Sequence, residues 1–363
     1  MSPEQIVIPP SFSTVSVKAF DVHANTSVIP AAVFVDPVLP GRQAMKPLPG
    51  FVFLIEHTNT EGTKRRLMFD LGTRKDQEAW APKLREQISS MPKFARVDVD
   101  RDIVEQLTEG GIDLNSIDTV IWSHTHLDHV GDFSKWPTST KLVLGAGSDR
   151  RGYPTFPDAL LLDSDFAGRT VEEVDFANST LKMAGLAAID YLGDGSLYLI
   201  DMPGHCLGHL VALARVKTDS FILMGADTCH HIGQIRPTSH LHKAYPCPGH
   251  ILEATRKSVS AEYFGLPGES EFDLRKRDKP LLTVPHPPSG YVDREQSIES
   301  QKALGLLDAH KDIFVVVAHD TTLMGVLTLF PETLNDWKEK KWKENTVWTF
   351  LEEDNSAFMF SPC

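Results

Sequence analysis

The sequence predicts a mixed fold, α/β or α+β, and two observations predict it. Short apolar runs of strand length recur between segments of helical periodicity along most of the chain. These runs end repeatedly in His or Asp, which places reactive side chains in loops carried by a rigid scaffold.

Taken in order, Phe51–Ile55 and Arg66–Asp70 flank the polar stretch His57–Lys64 and predict a β-hairpin. Arg101–Gly111 carries Ile103, Val104 and Leu107 on one face, with Gly110-Gly111 as a stop, so a helix is expected. Ile117–Ser123 is a short β-rich run that ends directly in a group of histidines. Leu197–Ile200, Leu210–Ala214 and Phe221–Met224 are strand candidates separated by short polar turns. Residues from about 232 to 291 differ, being rich in Pro, Gly and His with weak periodicity. Ser297–Ala309 is again helical in character, and Ile313–Val317 is a buried-strand run ending in Ala318-His319-Asp320. We expect one domain over residues 1–363. Residues up to about 50 form an extension that adds a strand or a dimer contact, and about 232–291 form an insertion near the active site.

Composition narrows the function. The 363 residues carry a net charge of −13, and neither Lys64-Arg65-Arg66 nor Arg275-Lys276-Arg277 makes a basic stripe, which argues against nucleic acid. No apolar run approaches the ~20 residues of a membrane span, and the first residues lack the pattern of a signal peptide. Cys206, Cys229, Cys247 and Cys363 show no CxxC spacing, so neither a disulfide framework nor a thiolate zinc site is suggested. A cytoplasmic protein, monomer or homodimer, is expected.

The strongest signal is Ser123-His-Thr-His-Leu-Asp-His-Val-Gly-Asp132. On a helix His124 and His126 would point in nearly opposite directions. In extended chain, positions 124, 126 and 128 project to one side, and His129 faces elsewhere unless the chain turns. Val130-Gly131 allows that turn. Four ligand-type residues within six positions suit two adjacent metals better than one.

His-x-His-x-Asp-His resembles the signature of the metallo-β-lactamase superfamily, which implies an αββα sandwich with two mixed sheets and helices outside. Asp201-Met-Pro-Gly-His-Cys-Leu-Gly-His209, Leu223–Asp227, Val317–Asp320 and Asp70-Leu-Gly72 resemble four further elements of that family, in the expected order. The resemblance implies that His124, His126 and His205 hold one metal, that Asp128, His129 and His319 hold a second, and that Asp227 bridges them. Asp70 would orient a ligand histidine from behind. Histidine and carboxylate without thiolate suit two Zn2+, with Mn2+ or Fe2+ as alternatives.

In detail the sequence most resembles the zinc lactonases typified by those that open acyl-homoserine lactones, and within them a fungal-type member. That implies hydroxide attack on a metal-polarised carbonyl of a lactone, lactam or cyclic carbamate, with Asp128 passing a proton to the leaving group. Where those lactonases often carry a tyrosine three residues after the bridging aspartate, this chain has His230, which can donate a similar hydrogen bond or move a proton. Tyr245, His242 and His250 are candidates to line the substrate pocket. The alternatives are an acyl thioesterase resembling glyoxalase II or a carrier-protein thioesterase, and a non-catalytic metal-binding or scaffold protein. The last usually loses ligands, and here all seven are present.

Overall fold

The structure is a computed structural model that describes residues 1–23, 29–38, 44–45, 48–90, 97–251 and 278–352. Two six-stranded sheets form its centre. The first contains β1 (Val15–Asp21), β2 (Phe51–Thr58), β3 (Lys64–Phe69), β4 (Thr119–Ile121), β5 (Lys141–Gly145) and β6 (Val171–Val174), in that spatial order. The second contains β7 (Leu181–Met183), β8 (Leu186–Asp190), β9 (Leu197–Asp201), β10 (Leu210–Lys217), β11 (Ser220–Met224) and β12 (Ile313–Val316). β1 to β3 are antiparallel and β3 to β6 parallel. β7 to β11 are antiparallel, with β12 added parallel to β11.

Alternation along the strands explains the layering. Phe53 and Ile55 of β2, Phe69 of β3 and Val143 of β5 share a core with Leu199, Ala212, Ile222 and Val316 of the second sheet. The intervening Val52 and Leu54 turn outward and meet Leu107 of the helix Ile103–Glu109. Val211 and Leu213 likewise face Leu304 and Leu307 of the helix Arg294–Asp308. A side-chain period of two thus buries both faces of both sheets. The result is the helix–sheet–sheet–helix sandwich that the sequence implies.

The expected hairpin is β2–β3, in antiparallel register from Phe53 opposite Phe69 to Thr58 opposite Lys64. The first expected helix spans Ile103–Glu109 because Asp102 caps it: its carboxylate accepts from Glu105 N at 2.9 Å, and Glu105 accepts from Asp102 N at 3.0 Å. Such a box is worth about 1 kcal/mol. The later helix starts at Arg294, three residues before the sequence suggests, because Asp293 accepts from Gln296 N.

Residues before 50 do add a strand, β1, on the edge of the first sheet. That edge is not left open. Val17 N donates to Asn335 Oδ1 at 3.0 Å and Val17 O accepts from Leu334 N at 2.8 Å, so residues 329–335 cover it. Within the stretch 232–291, residues 252–277 lie outside the described residues. The remainder packs on the outer face of the second sheet through Ile235, Leu241, Leu281 and Leu282. Among the described residues no helix is long and apolar enough to cross a membrane.

Candidate metal centre

Five loops, each entered from a strand, converge. β3 delivers Asp70, β4 delivers Ser123 to His129, β9 delivers His205 and His209, β11 delivers Asp227 and His230, and β12 delivers His319. The backbone bends hard to do this: Asp70 and Ala226 hold φ of 61° and 42°, a region that side chains with a Cβ rarely occupy. Gly204, at φ 123°, is also required, since a Cβ there would run into the backbone of Ser297 on the helix Arg294–Asp308.

The seven residues singled out by sequence come together in two groups. His124, His126, His205 and Asp227 offer ligand atoms within 4.8 Å of one another, as do Asp128, His129, Asp227 and His319. Asp227 belongs to both. One expectation needs correction: residues 124, 126 and 128 do not share one extended face. The chain enters a short helical turn, Leu127–Val130, directly after His126. The turn sends Asp128 and His129 together into the second group.

Hydrogen bonds fix where the imidazole protons are. Asp70, 1% exposed, accepts from Ser123 N, Ser123 Oγ and His129 Nδ1 at 2.7, 2.7 and 2.8 Å. Because the Ser123 hydroxyl donates to Asp70, it must accept from His124 Nδ1, 2.9 Å away. His319 Nδ1 faces Pro49 O at 2.7 Å. In all three histidines Nδ1 carries a proton, which leaves Nε2 as the nitrogen turned into the ligand group.

The inward nitrogens crowd one another and the carboxylates: His129 Nε2 and His319 Nε2 lie 3.1 and 3.2 Å from Asp227 Oδ1, and His205 Nε2 lies 3.4 Å from Asp227 Oδ2. His124 Nε2 lies 3.0 Å from His126 Nδ1 and 3.2 Å from His205 Nε2, and His126 Nδ1 lies 2.9 Å from His205 Nε2. His129 Nε2 and Asp227 Oδ1 are buried without a hydrogen-bond partner. Crowded lone pairs beside a buried carboxylate are what a cation neutralises, so the residues fit metal ions.

Electrostatics makes the same demand. Burial pushes His124 and His205 well below the usual imidazole range, reinforced by neighbouring histidines. Burial opposes charge on His129 and His319 too, but Asp227 together with Asp70 and Asp128 raises His129 well above that range, and Asp227 with Asp128 raises His319 to about 10. Asp227, despite burial, is held well below the carboxylate range by His319, His129 and His230. Cys206, next to His205, is no thiolate ligand: burial and Asp227 push its thiol up to about 12.

His230 is buried, with Nε2 3.1 Å from Asp227 Oδ2. Tyr245 and His242 take packing positions instead of the pocket-lining ones expected. The Tyr245 ring lies under Lys343 at 5.3 Å and its carbonyl accepts from Trp348 Nε1, while His242 meets Trp348 edge-on at 5.6 Å. An aromatic segment beside an uncovered sheet face is drawn into that face by burial. His250 is exposed.

Sequence reasoning missed three positions. His209 donates from Nδ1 to Met202 O and accepts from Asp227 N at 3.2 Å, steadying the shared aspartate. Gln234 and Tyr291 surround His230. The second histidine of Pro-Gly-His-x-x-Gly-His was a signal for the first. For Tyr291, 61 positions from its partner, there was none.

The sequence pattern of the metallo-beta-lactamase superfamily matches residues 45–217. Gamma-lactamase FDB1 of Fusarium pseudograminearum is 36% identical over 362 residues, which cover 96% of this chain and 84% of the relative. A protein of Penicillium roqueforti named cytochrome P450 monooxygenase mpaDE is 38% identical over 98% of this chain, but the match spans only 39% of that longer protein. A solved quorum-quenching N-acyl homoserine lactone lactonase superposes with a TM-score of 0.53 over 89% of this chain and 99% of its own, at 14% identity, a likeness of fold. With these relatives and this architecture, the chain belongs to the metallo-β-lactamase superfamily.

Proposed function

We propose that this chain is a dinuclear-metal hydrolase that opens a small organic ring, a lactone or a γ-lactam, at its carbonyl. The observation that carries the reading is the pair of ligand groups sharing Asp227. His124, His126 and His205 would hold one ion and Asp128, His129 and His319 the other, with zinc the best match to nitrogen and oxygen donors. Bound there, such ions supply Lewis-acid polarisation of a carbonyl and acidify water.

The chain's own residues do the rest. Asp70 and Ser123 hold His129 and His124 with Nε2 inward, and His209 holds the backbone of Asp227. Asp128 has a side chain 34% exposed, in contrast to the buried Asp227, so it can reach both the site and solvent. That exposure supports a role for Asp128 in taking the proton of the attacking water and passing it to the leaving alkoxide or amine. His230 offers a hydrogen bond at the shared aspartate, where a substrate oxygen would arrive. The ring class rests on FDB1, whose name is gamma-lactamase, together with a site made only of hydrolytic ligands. The reading treats residues 1–363 as one domain, supported by β1 joining the first sheet. It also sets the protein in the cytoplasm, supported by Cys206 and Cys229 being free thiols.

The test is proton release by zinc-loaded protein at neutral pH with short- and long-chain lactones, a γ-lactam, a cyclic carbamate and an acyl thioester. His126→Ala is the control. Ring turnover lost in the control is expected. Turnover of the thioester alone would overturn the ring reading in favour of a thioesterase.

A further inference from the structure

His230 differs from the ligand histidines at Nδ1. His124, His129 and His319 each donate from Nδ1 to an acceptor, while Nε2 of His129 and of His319 lies 3.1 and 3.2 Å from Asp227 Oδ1. His230 turns Nδ1 toward a hydroxyl, Tyr291 Oη, at 2.9 Å, and Nε2 toward the carboxylate Asp227 Oδ2 at 3.1 Å. A hydroxyl, unlike the acceptors that face the other three rings, can donate to Nδ1, and an imidazole that accepts there carries its proton on Nε2, toward the carboxylate.

The hydroxyl has two acceptors in reach, His230 Nδ1 at 2.9 Å and Gln234 Oε1 at 3.2 Å, and the second is already engaged. Gln234 Nε2 donates to Phe34 O at 3.0 Å and Thr283 O at 3.4 Å, which fixes the amide with Oε1 toward the loop. Oε1 already accepts from His230 N at 2.9 Å and His231 N at 3.1 Å, and Tyr291 Oη lies farther off at 3.2 Å. With both lone pairs of Gln234 Oε1 engaged, the Tyr291 proton goes to the nearer imidazole. Phe34 stacks on the His230 ring at 3.9 Å and 17°, so the ring plane is held as well. The same segment supports the ligand group: Val292 N donates to His205 O at 2.9 Å, and the Tyr291 ring packs edge-on against His205 at 5.5 Å.

We propose that Tyr291 is a positioning residue that fixes His230 as the Nε2–H tautomer, making it the hydrogen-bond donor of the site and not an eighth metal ligand. The proposal deepens the ring-hydrolase reading and rests on it for the donor's target, a substrate carbonyl or leaving-group oxygen. Tyr291 comes from the end of the insertion, so the residues between Asp227 and His319 contribute to the chemistry as well as to the covering of the second sheet.

Two measurements test it, one without turnover. Ring-15N-histidine NMR of the zinc-loaded protein at one pH, with His230→Gln identifying the resonance, reads the tautomer directly. A protonated Nε2 in the wild type, and a mixed or reversed tautomer in Tyr291→Phe, is expected. A bare, zinc-shifted Nε2 would overturn the proposal, whatever the enzyme hydrolyses. The second is a double-mutant cycle on the ring substrate that turns over. Tyr291→Phe should lower kcat about tenfold, the size of one lost hydrogen bond, with KM little changed. It should have no further effect in a His230→Gln background. An equal loss in both backgrounds would mean that Tyr291 only supports packing, and would sink the positioning role. If no ring substrate is hydrolysed, the ring-hydrolase reading fails, while the NMR result still decides the tautomer.

Discussion

Replacing Asp70 by Asn removes one charge and exchanges one oxygen for an NH2 group, yet it should cost the protein most of its metal affinity. The wild-type carboxylate accepts three hydrogen bonds: Oδ1 takes Ser123 N, and Oδ2 takes both Ser123 Oγ and His129 Nδ1. An amide has one oxygen. If it keeps that oxygen at the Oδ2 position, its NH2 faces the Ser123 N–H, which cannot reverse. If it flips, its NH2 faces His129 Nδ1, and the imidazole escapes the clash only by moving its proton to Nε2, the atom that should face the metal. Either way at least one buried donor goes unpaired, at about 1–3 kcal/mol. Loss of such a support lowers metal affinity by about 10- to 100-fold. Competition with a chromophoric chelator measures the affinity, and thermal melting of the metal-stripped protein separates it from stability. Asp70→Asn protein that binds zinc as tightly as wild type would refute the reasoning, because the tautomers of His129 and His124 would then not depend on Asp70.

Three further outcomes are expected. Lys343 is 1% exposed, donates to His310 O and Ile313 O, and is pushed down to about 8 by burial, from the usual 10.5. Between those values the unfolded chain binds the proton that the folded chain lacks, so stability relative to Lys343→Met should rise by roughly 3 kcal/mol from pH 8 to 10.5, read by urea unfolding. A flat difference would contradict it. Arg236 and Asp308 form a fully buried pair at 2.8 and 2.9 Å, so Asp308→Ala should destabilise by about 3–5 kcal/mol through the stranded guanidinium, visible in the melting temperature. Gly204→Ala must push Ser297 away and twist His205, so it should weaken zinc binding as well as stability; a variant with unchanged chelator competition would show that the loop tolerates the shift.

The grouping of the candidate ligands was legible in the sequence because they follow closely on strand ends, and short local motifs survive translation into space. The uninterrupted apolar runs Phe51–Ile55 and Leu210–Ala214 likewise read as strands, and the fold buries both of their faces. What it could not carry was set by long-range partners. Tyr291 meets His230 only because the helix starting at Arg294 anchors its segment, and nothing in a Pro- and Gly-rich stretch foretells that. Tyr245 and His242 suggested a pocket by residue type, but Trp348, about a hundred positions away, supplies the surface they cover. Val171–Val174 and Leu181–Met183 are short sheet-edge strands, the first with two exposed glutamates, and give no apolar run to recognise. The helical turn at Leu127–Val130 was legible only as a possibility in Val130-Gly131.

The central claim is that Asp227 is shared between two ion sites. Zinc content after equilibration and desalting, measured by atomic emission per chain, tests it most directly when wild type and Asp227→Ala are compared. Two ions in the wild type and one or none in the variant is the predicted result. A wild type that holds one ion, or an Asp227→Ala protein that keeps two, would contradict a shared dinuclear centre.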